Sequence, residues 1–259
     1  MSIITKSRSL GLLIFIFSIL SINIILILSQ IFEFKDFPTP GNYFKDYKIY
    51  NAGDALQDKQ GLAENGFVIP YIDGSTSISR LGRVFPNYII FKPLMISVGF
   101  FICFFWFYQK KFFTSHNFNK NLVNRMYIFG LITGICIIIH IFFLGIKIDN
   151  NFYKLFIRVA LGLSVLSSIL SKYFFIRNAK NCFSQNIIKN NIFFRLQFFL
   201  VYILIFILIL STPLLVFQIH KSYILIIEWN YFVLIFSFYF LYYLSWKNYS
   251  VIQPPPRTL

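Results

Sequence analysis

The sequence predicts an all-α membrane protein, a six-transmembrane-helix bundle with one long extracytoplasmic loop between helices 1 and 2 and both termini cytoplasmic. Three observations carry that reading. Six apolar stretches each run for 21 to 25 residues, and about 20 suffice for a helix to cross the hydrocarbon core. Hydrophobic residues make up 57% of the 259 and charged residues only 13%, against about 25% charged in an ordinary soluble domain. Lys and Arg cluster in the short connections between the apolar stretches, the arrangement that orients helical membrane proteins.

The first span, Leu10 to Phe32, follows Lys6 and Arg8 as the core of a secretory signal would. Its apolar run exceeds the ~7–15 residues of a signal core and no small-x-small cleavage site follows, so it reads as a retained helix. The later spans are Tyr88–Tyr108, Met126–Ile146, Leu155–Ile176, Phe193–Phe217 and Tyr223–Trp246. Unbroken apolar runs of this length exclude the alternating strands of a barrel. Pro93 and Pro213 fall inside two of them as candidate kinks. Residues 1–259 thus form a single six-helix membrane domain, with residues 33–87 as an extracytoplasmic cap loop.

Orientation follows from the basic residues. One set of connections holds Lys6, Arg8, Lys110, Lys111, Lys120, Arg125, Lys172 (at a span end), Arg177, Lys180, Lys189, Arg195, Lys247 and Arg257. The short loops of the other set hold only Lys147, Lys154 and Lys221. The basic side faces the cytoplasm, and both termini lie on it. The net charge of +15 is therefore a topology signal, and it requires no nucleic-acid partner.

The cap loop carries seven of the nine acidic residues: Glu33, Asp36, Asp46, Asp54, Asp58, Glu64 and Asp73. With Pro38, Pro40, Pro70 and Pro86 and no cysteine, it is too short to build a core of its own. It should fold as a cap on the outer helix ends, with a short helix from Asp54 to Asn65 ended by Gly66. Cys103, Cys136 and Cys182 form no CxxC or Cys/His cluster. Neither a disulfide framework nor a metal site is implied, and no cofactor is called for.

Ionisable side chains inside spans are costly, so each needs a reason. Lys92, His140, Arg158 and Glu228 all fall one to two turns below the outer surface, on the order of 5–10 Å deep at ~1.5 Å per residue. Four helices thus bring polar groups to one layer. Glu228 is the only acid in any span. Paired with Lys92 or Arg158 it would make a neutralised intramembrane site, with His140 as a third member. The plainer alternative has Lys92 and Arg158 snorkelling to the headgroups and His140 hydrogen-bonded in the packing. Ala160, Ser164, Ser167, Ser168 and Ser171 form a small-residue stripe suited to helix contact. Arg158 lies roughly 135° around the helix from that stripe at ~100° per residue, toward lipid.

Other patterns carry less. Gly130-x-x-x-Gly134 permits close helix approach. Asp73-Gly-Ser-Thr-Ser77 has no nearby histidine to activate a nucleophile and reads as a turn. Trp106, Trp229 and Trp246 suit interfacial belts. There is no phosphate-binding glycine loop and no internal repeat.

Two segments carry a family resemblance. Pro70-Tyr-Ile-Asp-Gly-Ser-Thr-Ser-Ile-Ser79, then Pro86-Asn-Tyr-Ile-Ile-Phe91 leading into the second span, resembles the approach to the second helix in the DRAM/Frag/Sfk family, also described as the CWH-type N-terminal domain. Glu228-Trp229 near the start of the last helix is similar to that family's acidic–aromatic pair. The positions concerned are Pro70, Ser77, Ser79, Pro86, Phe91 and Trp229. Family members often carry a histidine early in the fourth span, where this chain has Lys154 and Arg158. The resemblance implies a six-helix integral membrane protein without established catalytic residues. It also implies a link to lipid, since relatives are tied to GPI-anchor lipid maturation, autophagy regulation at lysosomes and lipid organisation at the plasma membrane.

Two functional readings follow. The first is a non-enzymatic integral membrane protein that binds or organises lipid in the outer leaflet, with membrane lipids as its partners and no protein partner indicated. The second is a small transporter or lipid-modifying membrane enzyme centred on Glu228 and His140. Transporters place ionisable groups near the bilayer midplane and show repeats. A lipid-modifying enzyme needs a nucleophile or a metal site in the polar layer. Neither pattern is present, so the first reading is the stronger. The membrane is the inner membrane of a bacterium, or an endomembrane or plasma membrane of a eukaryote.

Overall fold

A computed structural model describes residues 3–31, 48–49, 69–83, 86–116, 118–147, 151–184, 192–216 and 221–247. Six helices in it are long and apolar enough to cross a membrane, and the chain is an integral multi-pass membrane protein. They are α1 (Ile3–Ile31), α4 (Asn87–Ser115), α5 (Lys120–Phe143), α6 (Asn151–Ser184), α7 (Ile192–Val216) and α8 (Lys221–Ser245). Two single-turn helices, α2 (Pro70–Asp73) and α3 (Ile78–Leu81), precede α4. The helix expected at Asp54 to Asn65 lies outside the described residues. In lipid no water satisfies backbone groups, so apolar runs of this length fold as helices, which pair their interior N–H and C=O groups within the segment.

Several helices overrun the apolar windows. α1 begins at Ile3 rather than Leu10, α4 continues to Ser115 and α6 to Ser184. Hydropathy registers only the lipid-buried part, whereas the helical ladder continues through basic turns whose side chains lie over rings. Lys6 sits 5.8 Å from the Tyr108 ring, Arg8 5.2 Å from Tyr243 and Lys110 4.4 Å from Tyr127. Cation–ring contacts contribute about 0.5–1 kcal/mol at exposed sites and more where the cation is desolvated.

The helices run antiparallel to their neighbours. Ser7 Oγ shares a 2.8 Å hydrogen bond with Tyr242 Oη, which sets the start of α1 beside the end of α8. At the opposite face, Asn87 Nδ2 donates to Ser29 Oγ at 2.7 Å and to Leu81 O at 3.1 Å. Residues 3 and 247 therefore share one face of the bundle, the terminal face, and residues 69–86 lie at the other, the loop face. At the loop face Lys48–Ile49 (β1) pairs antiparallel with Ile146–Lys147 (β2), with Lys48 opposite Lys147 and Ile49 opposite Ile146.

α4 and α5 approach closely at the glycine pair noted in the sequence. A Cβ at Gly130 would meet the Trp106 ring at 2.2 Å, and one at Gly134 would meet Cys103 Sγ at 2.4 Å and Gly99 O at 2.6 Å. Only hydrogen fits there. The terminal half of the bundle is filled by rings: Phe105, Trp106, Phe175, Phe238, Tyr239, Tyr242 and Trp246, all nearly fully buried. Edge-to-face pairs such as Phe105–Tyr242 at 4.9 Å and Phe175–Phe238 at 5.6 Å dominate, the geometry that the ring quadrupole favours. The expectation of interfacial tryptophans is corrected here. Trp106, Trp229 and Trp246 have no exposed surface, because each indole is stacked or hydrogen-bonded inside the bundle.

Candidate functional site: a cavity beneath the loop face

The site is built by the segment just before α4. Asp73 accepts from Ile69 N–H and Ser75 N–H, both at 2.8 Å, folding the Asp-Gly-Ser-Thr-Ser run into the turn the sequence indicates. Gly74 has φ 59°, and a Cβ there would lie 2.1 Å from Ser222 O, so this turn sits hard against α8. Ser77 Oγ then accepts from Arg80 N–H and starts α3.

α8 holds the turn in place. Trp229 Nε1 donates to Thr76 O at 2.8 Å and Asn230 Nδ2 to Tyr71 O at 2.8 Å. The Tyr71 and Trp229 rings pack edge to face at 4.9 Å. Burial pushes the Tyr71 phenol above its ordinary value, and its hydrogen bond to Asn23 opposes that shift. Pro70, Ser77, Ser79, Pro86, Phe91 and Trp229 all lie at this junction: Pro70 opens α2, Pro86 precedes α4, and Phe91 packs beneath Gly82.

Below the junction is a cavity of about 200 Å³. Phe91 and Met95 of α4, Ile137 and Ile141 of α5, Val165 of α6 and Phe232, Ile235 and Phe236 of α8 supply apolar walls. Ser79, Thr133, His140, Ser164, Ser168, Tyr231 and Glu228 supply the polar atoms. Leu161 also lines the cavity and is 45% exposed on the outer surface of the bundle. At Leu161 the cavity reaches the exposed flank of α6, a helix packed firmly on α5 and only lightly on α7.

The four ionisable residues expected in one layer separate into two groups. Glu228 and His140 both line the cavity. Glu228 Oε1 accepts from Ile78 N–H at 3.2 Å, the Ser79 backbone also donates to the carboxyl, and the Arg80 and Arg83 guanidiniums act on it electrostatically. His140 Nδ1 bonds to Ile157 O at 3.2 Å; a carbonyl only accepts, so Nδ1 carries the proton. Lys92 and Arg158 do not join them. Lys92 Nζ donates to Phe142 O at 3.3 Å in the last turn of α5, a cation on a helix C-terminus. Arg158 is exposed on the outer side of α6, as its angle from the small-residue stripe requires. The stripe itself is buried from Ala160 to Ser171. The expected pairing of Glu228 with Lys92 or Arg158 is replaced by backbone donors and the two arginines of residues 78–83, which no span-by-span inspection would bring to this depth.

One residue of the site escaped the sequence reading. Lys172 was expected at a cytoplasmic span end, but α6 continues twelve residues beyond it to Ser184 and the side chain is wholly buried. Its amine bonds to Ser168 Oγ and, at 3.4 Å, to Ser168 O. It lies 5.4 Å and 5.2 Å from the Phe238 and Tyr239 ring centroids. Ser168 lines the cavity, so Lys172 stands one hydrogen bond behind its wall. The signal available in the sequence was the continuing helical stripe of Ser164, Ser168 and Lys172, spaced four apart.

Among the described residues no group of three or more His, Cys, Asp or Glu could hold a metal ion. No protein-family model, curated protein or solved structure matches the chain.

Proposed function

We propose that this protein binds membrane lipid, receiving part of a phospholipid in the cavity beneath the loop face, on the outer-leaflet side by the charge-based orientation. The observation that carries the reading is the cavity's composition and position together: mostly apolar walls, the polar groups of Glu228 and His140, and a flank at the partly exposed Leu161. Its volume falls below the ~300–1,000 Å³ of pockets that enclose a drug-sized ligand. It suits a headgroup and the first carbons of a chain whose remainder stays in the bilayer. The resemblance to the DRAM/Frag/Sfk family supports a lipid-directed, non-enzymatic role.

The test is photolabelling in reconstituted vesicles with a phospholipid carrying a diazirine near the glycerol. Cross-links should map to cavity residues Ile137, Val165 and Ile235. Cross-links confined to outward-facing residues such as Leu163, Phe206 and Ile209 would overturn the reading.

A further inference from the structure

The polar wall of the cavity is one-sided. Thr133 Oγ1 donates to Phe129 O at 2.9 Å, Ser164 Oγ to Leu161 O at 2.7 Å and Tyr231 Oη to Leu204 O at 3.2 Å. Each hydroxyl has one hydrogen; helix carbonyls take those of Ser164 and Tyr231, and Thr133 shares its own between Phe129 O and Ser167 Oγ. His140 gives its Nδ1 hydrogen to Ile157 O, which leaves the neutral ring an acceptor at Nε2. Glu228 receives two backbone N–H groups and retains further lone pairs. Two more hydroxyls line the cavity: Ser79 shares a hydrogen bond with Ser77, and Ser168 Oγ accepts from Lys172 and so keeps its own hydrogen. Lone pairs thus outnumber free hydrogens among the polar groups of the lining, and an occupant rich in donors answers most of them.

We infer that the cavity selects a primary ammonium, carried by a phospholipid of the ethanolamine class, with Glu228 as its counter-charge and His140 as a second acceptor; this rests on the lipid-binding reading above. An ammonium has three N–H donors and supplies the positive partner that a carboxyl at this depth lacks on the cavity side. The headgroup's phosphate would meet Arg80 and Arg83, which stand near Glu228 on the loop-face side. A choline headgroup carries the same charge without a single N–H, so it leaves every acceptor unanswered. An anionic glycerol headgroup sets its phosphate against the same arginines but brings no ammonium, so Glu228 keeps no counter-charge on the cavity side.

The experiment uses the full-length protein in nanodiscs and competes the diazirine lipid against a series that removes donors one at a time at constant charge: phosphatidylethanolamine, its N-methyl and N,N-dimethyl forms, and phosphatidylcholine. Competition at cavity residues should weaken at each methylation and fall at least about tenfold across the series, the loss of a charge-assisted hydrogen bond. Glu228→Gln should flatten the series. Soluble glycerophosphoethanolamine added to the wild type distinguishes a free amine from a lipid: competition equal to that of the intact phospholipid would overturn the lipid source. Equal competition by all four lipids in the wild type would overturn the ammonium inference while leaving lipid binding in place. Absence of labelling in the cavity would overturn both.

Discussion

Lys172→Met should stabilise the protein. The amine is buried without exposed surface, its hydrogen bonds go to a single serine, and two ring faces lie within 5.4 Å. Removing an ammonium from water costs several kcal/mol even after relaxation. One good charge-assisted hydrogen bond returns about 1.5–3 kcal/mol and the rings about 2 kcal/mol. The remainder is a deficit that methionine, close to lysine in length, does not incur. Its thioether also gains from the same two aromatic faces. Replacing a buried charge by an apolar residue of similar volume gains ~1–4 kcal/mol in comparable cases. A gain of about 1–3 kcal/mol should raise Tm by roughly 2–4 °C for each kcal/mol. Thermal unfolding followed by size-exclusion chromatography in nanodiscs measures it. A fall in Tm on Lys172→Met, with Lys172→Arg unchanged, would show that the cation has a compensating anionic partner and that this accounting is wrong.

Two further outcomes are expected. Glu228→Gln should cost about 1–2 kcal/mol, since an amide oxygen still accepts from one of the two backbone N–H groups but without charge. Double variants with Lys92→Met or Arg158→Met should be additive in melting experiments, because neither cation contacts Glu228; recovery of more than ~0.5 kcal/mol in either double would restore the pairing that the structure replaces. For orientation, Ile72→Cys, 74% exposed at the loop face, should react with an impermeant thiol reagent in intact cells, and Asn119→Cys at the terminal face should not. Inverted labelling would reverse the placement of the cavity in the bilayer.

The six spans were legible because lipid imposes one rule on every residue of a span, and hydropathy reads that rule directly. Their ends were not, because the ladder at Lys110 or Arg177 continues after hydropathy falls. The site was half legible. Glu228 and His140 stand out by their cost in a membrane, and Gly130 and Gly134 by their spacing. What surrounds Glu228 depends on how residues 70–83 dip between the helix ends, a tertiary arrangement set by Trp229, Asn230 and Asn87 contacts that no periodicity records. Lys172 was missed for a related reason. A lysine near the end of an apolar window looks interfacial until the helix is known to extend past it. Losing it from the basic side leaves twelve of the thirteen residues there, so the orientation argument stands.

The ring-filled terminal half has a kinetic consequence. Among the described residues, Phe175, Phe238, Tyr239 and Trp106 close the bundle behind Ser168 and Lys172. On the terminal side the cavity therefore ends against packed rings, and a molecule held in it would reach the terminal face only if those rings parted. Under the lipid-binding reading proposed above, such a vessel would fill from the side, and its filled fraction would follow the abundance of the lipid beside it.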